Sequence, residues 1–169
     1  MSFSIAGKTA IVTGAANGVG LAIARHFAEQ GANVMGADMD EKRLIAEFGS
    51  NPDLDIDTGE GSNLRYFAGD LREKLTIANL LSATLDAWDR VDILVNASRQ
   101  VVTTNPLDCD DNSVHTLFEQ NVLSGLRLSQ LVANRMIRQG EDLDEDDQDR
   151  DLGAIINLSS TAATRTLPG

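Results

Sequence analysis

The fold is decided by Ala10-Ile11-Val12-Thr13-Gly14-Ala15-Ala16-Asn17-Gly18-Val19-Gly20. Its apolar start predicts a buried strand over 9–13, and the amphipathic stretch 18–30 predicts a helix. Gly14, Gly18 and Gly20 lie between them, where a tight turn needs residues without a Cβ and a phosphate can approach the backbone. The N-terminus of the helix supplies N–H donors and the positive end of a dipole. The stretch therefore predicts a strand, a turn and a helix that together hold a dinucleotide.

Asp38 closes the second predicted strand, 33–37, about two dozen residues after Gly14. A carboxylate at that position accepts hydrogen bonds from both ribose hydroxyls of a dinucleotide and repels a 2′-phosphate. No arginine flanks it that could pair with such a phosphate, since Met39 follows it and Asn17 lies in the turn. The sequence therefore favours NAD over NADP. The alternative is an ordinary glycine-containing turn with a surface aspartate.

Short apolar runs alternate with amphipathic stretches along the rest of the chain, which is typical of a parallel sheet covered by helices. Further strands are predicted over 64–68, 91–96 and 154–158, and further helices over 41–48, 73–88 and 112–139. Two polar stretches, 50–63 and the densely acidic 141–151, are predicted as loops. Five strands with interposed helices predict a single α/β domain over 1–169, a doubly wound, Rossmann-like parallel sheet.

Composition narrows the classes of partner and compartment. The 169 residues carry a net charge of −12, which repels phosphate backbones and anionic lipid surfaces, so neither nucleic acid nor a membrane is expected as a partner. No apolar run approaches the ~18 residues of a membrane span. The single Cys109 fits a reducing compartment, and we expect a cytoplasmic protein. No metal site is expected, because the acidic stretches lack the ligand spacing of a calcium loop.

At this point the residues resemble the short-chain dehydrogenase/reductase family, relative to which 141–151 resembles an insertion before the fifth strand. The spacing Thr13-Gly14-x-x-x-Gly18-x-Gly20 is similar to the family's signature. Asp70 resembles its aspartate after the third strand, which contacts adenine, and Asn96 resembles the start of its Asn-Asn-Ala-Gly motif. The cofactor-binding residues predicted from the turn and the resemblance are Gly14, Asn17, Gly18, Val19, Gly20, Asp38, Asp70, Leu71 and Asn96.

The resemblance also implies catalytic residues. Asn121 resembles the helix asparagine that supports a proton-relay water, and Ser160, in Asn157-Leu158-Ser159-Ser160, resembles the serine that hydrogen-bonds the substrate oxygen. The implied function is an NAD(P)-dependent oxidoreductase that interconverts a small-molecule alcohol and a carbonyl compound by hydride transfer. Family members often associate through the helix that corresponds to 112–139, so a homo-oligomer is implied as well. The apolar residues of that helix are expected to pack mainly on the sheet: Val114, Leu117, Phe118, Val122 and Leu126.

Arg99 departs from the family pattern. The fourth-strand motif continues Asn96-Ala97-Ser98-Arg99, so an arginine stands where the family has glycine. It could clash near the nicotinamide ribose, offer a cation to a cofactor phosphate or an acidic substrate, or point into solvent. The sequence leaves these alternatives open.

A second departure concerns the proton donor. The family's Tyr-x-x-x-Lys would place its tyrosine near position 173, beyond Gly169. That tyrosine exchanges a proton with the substrate oxygen, and the lysine lowers its pKa. Tyr66 is predicted in the core, and His26 and His115 as surface or packing residues. We therefore expect a C-terminally incomplete family member that is inactive alone. The alternative is a truncated or decayed nucleotide-binding module without turnover.

Overall fold

In the computed structural model, five parallel strands form one sheet. The strands are β1 Thr9–Thr13, β2 Asn33–Asp38, β3 Leu64–Ala68, β4 Ile93–Asn96 and β5 Ala154–Asn157, and they lie in the order β3-β2-β1-β4-β5. The structure describes residues 4–49, 62–102, 107, 112–141 and 151–161. Most of the two predicted loops, 50–63 and 141–151, and all of Cys109 lie outside these ranges. The strand order reverses between β1 and β4, and ligands of open α/β sheets bind outside the carboxyl ends of the strands at such a point.

Helices cover both faces of this sheet, as the doubly wound prediction requires. They are α1 Gly18–Glu29, α2 Glu41–Phe48, α3 Lys74–Trp88, α4 Ser113–Phe118 and α5 Ser124–Glu141, with a π-helical turn, Glu119–Leu123, between α4 and α5. Alternate residues of β1 enter different cores, because successive strand side chains point to opposite faces. Ile11 packs in the core beneath α3 and α5, whereas Ala10 and Val12 pack in the core beneath α1 and α2. The predicted Rossmann-like fold is confirmed.

The buried face of the long helix differs from the predicted one. Of the residues expected on the sheet, Val114 is 79% exposed, and Phe118, Val122 and Leu126 are between 47% and 52% exposed. The buried residues recur at every fourth position instead: Gln120, Ser124, Leu128, Val132 and Met136. The prediction was wrong for two reasons. A π-helical turn holds more residues than an α-helical one and so rotates the following face, and this buried stripe begins with two polar residues that an apolar pattern does not include.

β1 and β4, which carry much of the candidate site, are tied together at their amino ends by Asp92. This buried carboxylate accepts a hydrogen bond from the Thr9 N–H at 2.9 Å. Arg90 pairs with it at 2.6 Å and Lys8 lies at 3.9 Å, so the buried charge is compensated. The hydrogen bond to Asp92 raises the pKa of the Arg90 guanidinium above its ordinary value. Asp92 therefore fixes β1 and β4 relative to each other, and with them the carboxyl ends that carry much of the candidate site.

Candidate functional site

The glycine turn at the carboxyl end of β1 presents an uncapped helix N-terminus. Asn17 is the N-cap of α1, and its side chain makes no capping hydrogen bond, so the first N–H groups of the helix remain available to a ligand. Gly18 has φ +54°, and a Cβ built on it meets open space. Gly20 is the opposite case: a Cβ there would lie 2.7 Å from the Gly14 carbonyl carbon and 2.9 Å from the Thr13 oxygen. The turn is thus closely packed against backbone atoms at Gly20 and has open space beside Gly18, which fits the diphosphate of a dinucleotide.

Asp38 is fixed beside this turn by its own carboxylate. One oxygen accepts a hydrogen bond from the Ala16 N–H at 3.1 Å, and the other accepts from the Asp40 N–H at 3.0 Å. An ionised carboxylate has about four acceptor positions, so lone pairs remain for a ligand. The predicted partnership between the turn and the end of β2 is therefore present as a direct contact.

Asp70 lies after β3 and is engaged by a residue that the sequence reasoning missed. Arg72 donates from its backbone N–H and Nε to one carboxylate oxygen at 3.0 Å, and from its terminal nitrogen to the other at 2.5 Å. The Arg72 hydrogen bond is the main reason why the pKa of Asp70 lies below its ordinary value. Arg72 thus favours the ionised form of the Asp70 carboxyl group. Leu71, between them, is largely buried in the core.

Thr13 and Asn121 clamp the segment that follows β4. The Thr13 hydroxyl oxygen accepts hydrogen bonds from the Ala97 and Ser98 N–H groups, both at 3.1 Å. Asn121 accepts from the Gln100 N–H at 2.7 Å and donates to the Gln100 carbonyl at 2.9 Å. Asn121 therefore recognises a backbone peptide with its side chain. Sequence reasoning missed this role of Thr13, although it noted the residue as the first of the signature spacing at the end of a central strand.

Asn96 connects three elements beneath the clamped segment. Its amide nitrogen donates to the Ser129 hydroxyl at 2.9 Å and to the Asn157 side-chain oxygen at 2.8 Å. Its own side-chain oxygen is buried and has no hydrogen-bond partner among the described residues. The described contacts of Asn96 thus join β4 to α5 and β5, and its cofactor role stays a prediction.

A cavity of about 350 Å³ opens among these residues, between the carboxyl ends of the strands and α5. Its lining combines polar groups with apolar ones: Thr13, Leu71, Asn96, Ser98, Asn121, Val122, Ser124, Gly125, Leu126, Leu128, Ser129, Asn157 and Leu158. Ser160 lies exposed three residues beyond Asn157, past the carboxyl end of β5. The cavity therefore brings Leu71, Asn96 and Asn121 together, whereas Ser160 is not among its lining residues.

The remaining candidates lie elsewhere. Tyr66 lies on β3, partly buried, and packs edge-on against Phe48 with ring centroids 6.4 Å apart. Its strand is at the opposite edge of the sheet from β5. His26 and His115 are exposed. Among the described residues, no group of three or more metal-ligating side chains comes together, and none of the helices there has the length and apolarity to cross a bilayer.

Comparison with known proteins identifies the family. The short chain dehydrogenase family model matches residues 8–169, which is nearly the whole chain. The chain belongs to the short chain dehydrogenase family. Its carboxyl-edge cavity and glycine turn accordingly lie in a fold used by oxidoreductases.

Several individual relatives of the chain are dehydrogenases by name. It is 29% identical to D-threitol dehydrogenase of Mycolicibacterium smegmatis, covering 98% of this chain and 57% of that protein. It is 31% identical to sorbitol dehydrogenase of Cereibacter sphaeroides, covering 94% and 55%. A probable NADP-dependent dehydrogenase of Haemophilus influenzae is 30% identical, covering 95% and 56%.

A solved structure shows the same fold. An apo SCOR enzyme from Clostridium thermocellum superimposes with a TM-score of 0.74 at 26% identity, covering 95% of this chain and 57% of that one. The chain thus spans a little over half the length of the proteins that it matches.

Proposed function

We propose that this chain is the cofactor-binding part of an NAD-linked short chain dehydrogenase that interconverts a small alcohol and the corresponding carbonyl compound. The observation that carries the proposal is the contact between Asp38 and the Ala16 N–H, which fixes a carboxylate beside an open glycine turn. A carboxylate in this place accepts from ribose hydroxyls, whereas a 2′-phosphate would meet its negative charge.

Each part of the cofactor has a matching group on the chain. The uncapped amides at the start of α1, in the turn from Gly14 to Gly20, hold the diphosphate. Asp38 takes the adenosine ribose, and Asp70, whose ionised form Arg72 favours, accepts from the adenine amino group. Bound NAD supplies the hydride acceptor.

The chain's catalytic contributions concern the substrate oxygen and the route of its proton. Ser160, at the end of β5, orients that oxygen by hydrogen bonding. In this proposal the side chain of Asn121 binds Gln100, and its backbone carbonyl, in the π-helical turn, holds a relay water. In this proposal the tyrosine and lysine that exchange the proton belong to a longer protein of which these residues are the nucleotide-binding part.

Cofactor choice is tested by titrating the chain with NADH and with NADPH while following nicotinamide fluorescence. We expect tighter binding of NADH and a smaller preference in Asp38→Ala. Charge-assisted hydrogen bonds contribute ~1.5–3 kcal/mol, so the loss in NADH affinity should be about tenfold or more. Asp40→Ala is the matched control, because that neighbouring carboxylate caps α2 and pairs with Arg43. Tighter binding of NADPH by the wild type, or an unchanged preference in Asp38→Ala, would refute the assignment.

One observation favours a second candidate, a nucleotide-binding module without turnover. The sequence contains one tyrosine, Tyr66, and the order of the strands places it at the far edge of the sheet from Ser160. With NAD and threitol, sorbitol or glycerol, we expect this chain to form no NADH. Reading the coding sequence beyond codon 169 separates the candidates: an in-frame Tyr-x-x-x-Lys supports the dehydrogenase, and a stop codon supports the module.

A further inference from the structure

Arg99 is an exposed arginine in an acidic protein, and the part of the chain that the structure describes offers it no hydrogen-bond or ion-pair partner. Six other arginines lie within salt-bridge distance of a carboxylate: Arg25, Arg43, Arg72, Arg90, Arg127 and Arg135. Within the described ranges, Arg99 makes no hydrogen bond or ion pair, and Arg138 near the end of α5 is the comparable case. In a chain with 26 Asp and Glu against 14 Lys and Arg, an uncommitted guanidinium beside a ligand site is available to a ligand.

The backbone on both sides of Arg99 is fixed, so its side chain starts from a defined point. Ser98 is held by Thr13 through its N–H at 3.1 Å, and Gln100 is held by Asn121 through both its N–H and its carbonyl. The segment also abuts the glycine turn, since a Cβ on Gly14 would lie 2.9 Å from the Ser98 Cα. The backbone of Arg99 therefore lies between Ser98, which adjoins the turn and lines the cavity, and Gln100, which Asn121 holds.

The position of Arg99 matters for the electrostatic attraction of an anion to the glycine turn. The turn from Gly14 to Gly20 contains no lysine or arginine, so its attraction for a diphosphate rests on backbone N–H groups and the partial charge of about +0.5 at a helix N-terminus. The net charge of −12 opposes any anion. Arg72, a cation of the same edge, is already paired with Asp70. A free guanidinium next to the turn would offset that repulsion.

We propose that Arg99 binds an oxyanion at the carboxyl edge of the sheet, either the diphosphate of the cofactor or a carboxylate or phosphate of the substrate. The proposal rests on the proposed function for the identity of those ligands. A guanidinium presents several N–H donors in one plane and pairs with an oxyanion through two of them, which an ammonium group does not reproduce. The glycine usual in the family offers no such group, so Arg99 would narrow the ligands that this member accepts.

The oxyanion site is tested first without any nucleotide. Inorganic phosphate is titrated into ¹⁵N-labelled protein while the arginine Nε–H resonances are followed, with the Arg99 signal assigned by its loss in Arg99→Gln. We expect a saturable shift of the Arg99 resonance and none at Arg138. An Arg99 resonance that does not move, or one that moves no more than that of Arg138, overturns the proposal.

The source of the oxyanion is then distinguished with NADH, adenosine and malonate. If the diphosphate is the ligand, Arg99→Gln weakens NADH binding about fivefold, as expected for an exposed charged contact. The NADH affinity of Arg99→Lys then lies between those of the wild type and Arg99→Gln, and adenosine binding is unchanged. If the substrate is the source, NADH binding is unchanged, and malonate shifts the Arg99 resonance of the NADH complex. Equal losses in Arg99→Gln and Arg138→Gln would show only an effect of net charge and refute the proposal. A wild type that binds no NADH, although phosphate moves the Arg99 resonance, would refute the proposed cofactor and leave the oxyanion site standing.

Discussion

Substituting Gly20 by alanine tests whether the turn and α1 are packed as closely as the structure has them. The added Cβ would lie 2.7 Å from the Gly14 carbonyl carbon and 2.9 Å from the Thr13 oxygen. Both are backbone atoms, which cannot rotate away as a side chain does, so the helix must move off the turn. Alanine gains about 1 kcal/mol of helix propensity over glycine, and overpacking costs ~1–3 kcal/mol or more. Because the clashing atoms are backbone, the upper end of that cost, ~3 kcal/mol, applies, and the net loss is about 2 kcal/mol. This corresponds to roughly 4–8 °C in melting temperature for a domain of this size.

Gly18→Ala is the matched control, because its Cβ would enter open space. Its φ of +54° costs a residue with a Cβ ~1–2 kcal/mol, without a clash. Both variants should bind NADH more weakly. Gly20→Ala displaces the turn, and Gly18→Ala places a methyl group in the open space where the diphosphate is proposed to bind. Urea denaturation and NADH titration measure the two effects separately. If Gly20→Ala were as stable as the wild type and bound NADH equally well, the close approach of the helix to the turn would be wrong.

Two further perturbations follow from the clamped and charged groups around the site. Thr13→Val removes the acceptor of the Ala97 and Ser98 N–H groups and should lower the free energy of unfolding by ~1–3 kcal/mol. Thr13→Ser, the control, should be close to wild type. Equal urea midpoints for Thr13→Val and wild type would contradict the role given to the Thr13 hydroxyl. Because Arg72 lowers the folded-state pKa of Asp70, their pair stabilises the fold above the unfolded-state pKa, and this contribution is lost as the pH falls through the folded-state value. The stability difference between wild type and Arg72→Gln should therefore be constant near neutral pH and shrink below about pH 4; a difference independent of pH down to acid unfolding would exclude this linkage.

The sheet and the place of Asp38 beside the glycine turn follow from local patterns. Thr9–Thr13 is apolar at its three central residues and Ile93–Asn96 at its first three, as suits buried parallel strands. Parallel strands bring their carboxyl ends to one edge of the sheet. The contact between Asp38 and the glycine turn is a consequence of that topology, because β1 and β2 are neighbours in the sheet.

Other contacts depend on three-dimensional register and leave no local signal. The bond from Ala97 to the Thr13 hydroxyl joins residues 84 positions apart, and no pattern within either strand indicates it. The buried stripe begins with Gln120 in the π-helical turn and continues with Ser124, the first residue of α5. The Ser124 hydroxyl donates a hydrogen bond to the Gln120 carbonyl at 2.5 Å. Polar residues that satisfy each other inside the structure are invisible to hydrophobic periodicity, so the helix face was predicted wrongly.

The π-helical turn Glu119–Leu123 has a consequence for how this protein tolerates insertions and deletions. Each residue of an α-helix advances it by about 100°. Deleting one residue from the turn would restore regular winding, and would also turn α4 by roughly that angle against α5. Asn121 would swing away from Gln100 while Leu128, Val132 and Met136 stayed on the sheet. The extra residue of the π-helical turn thus fixes the angle between Asn121 and the buried face of α5. We therefore expect this helical region to vary by substitution rather than by insertion or deletion.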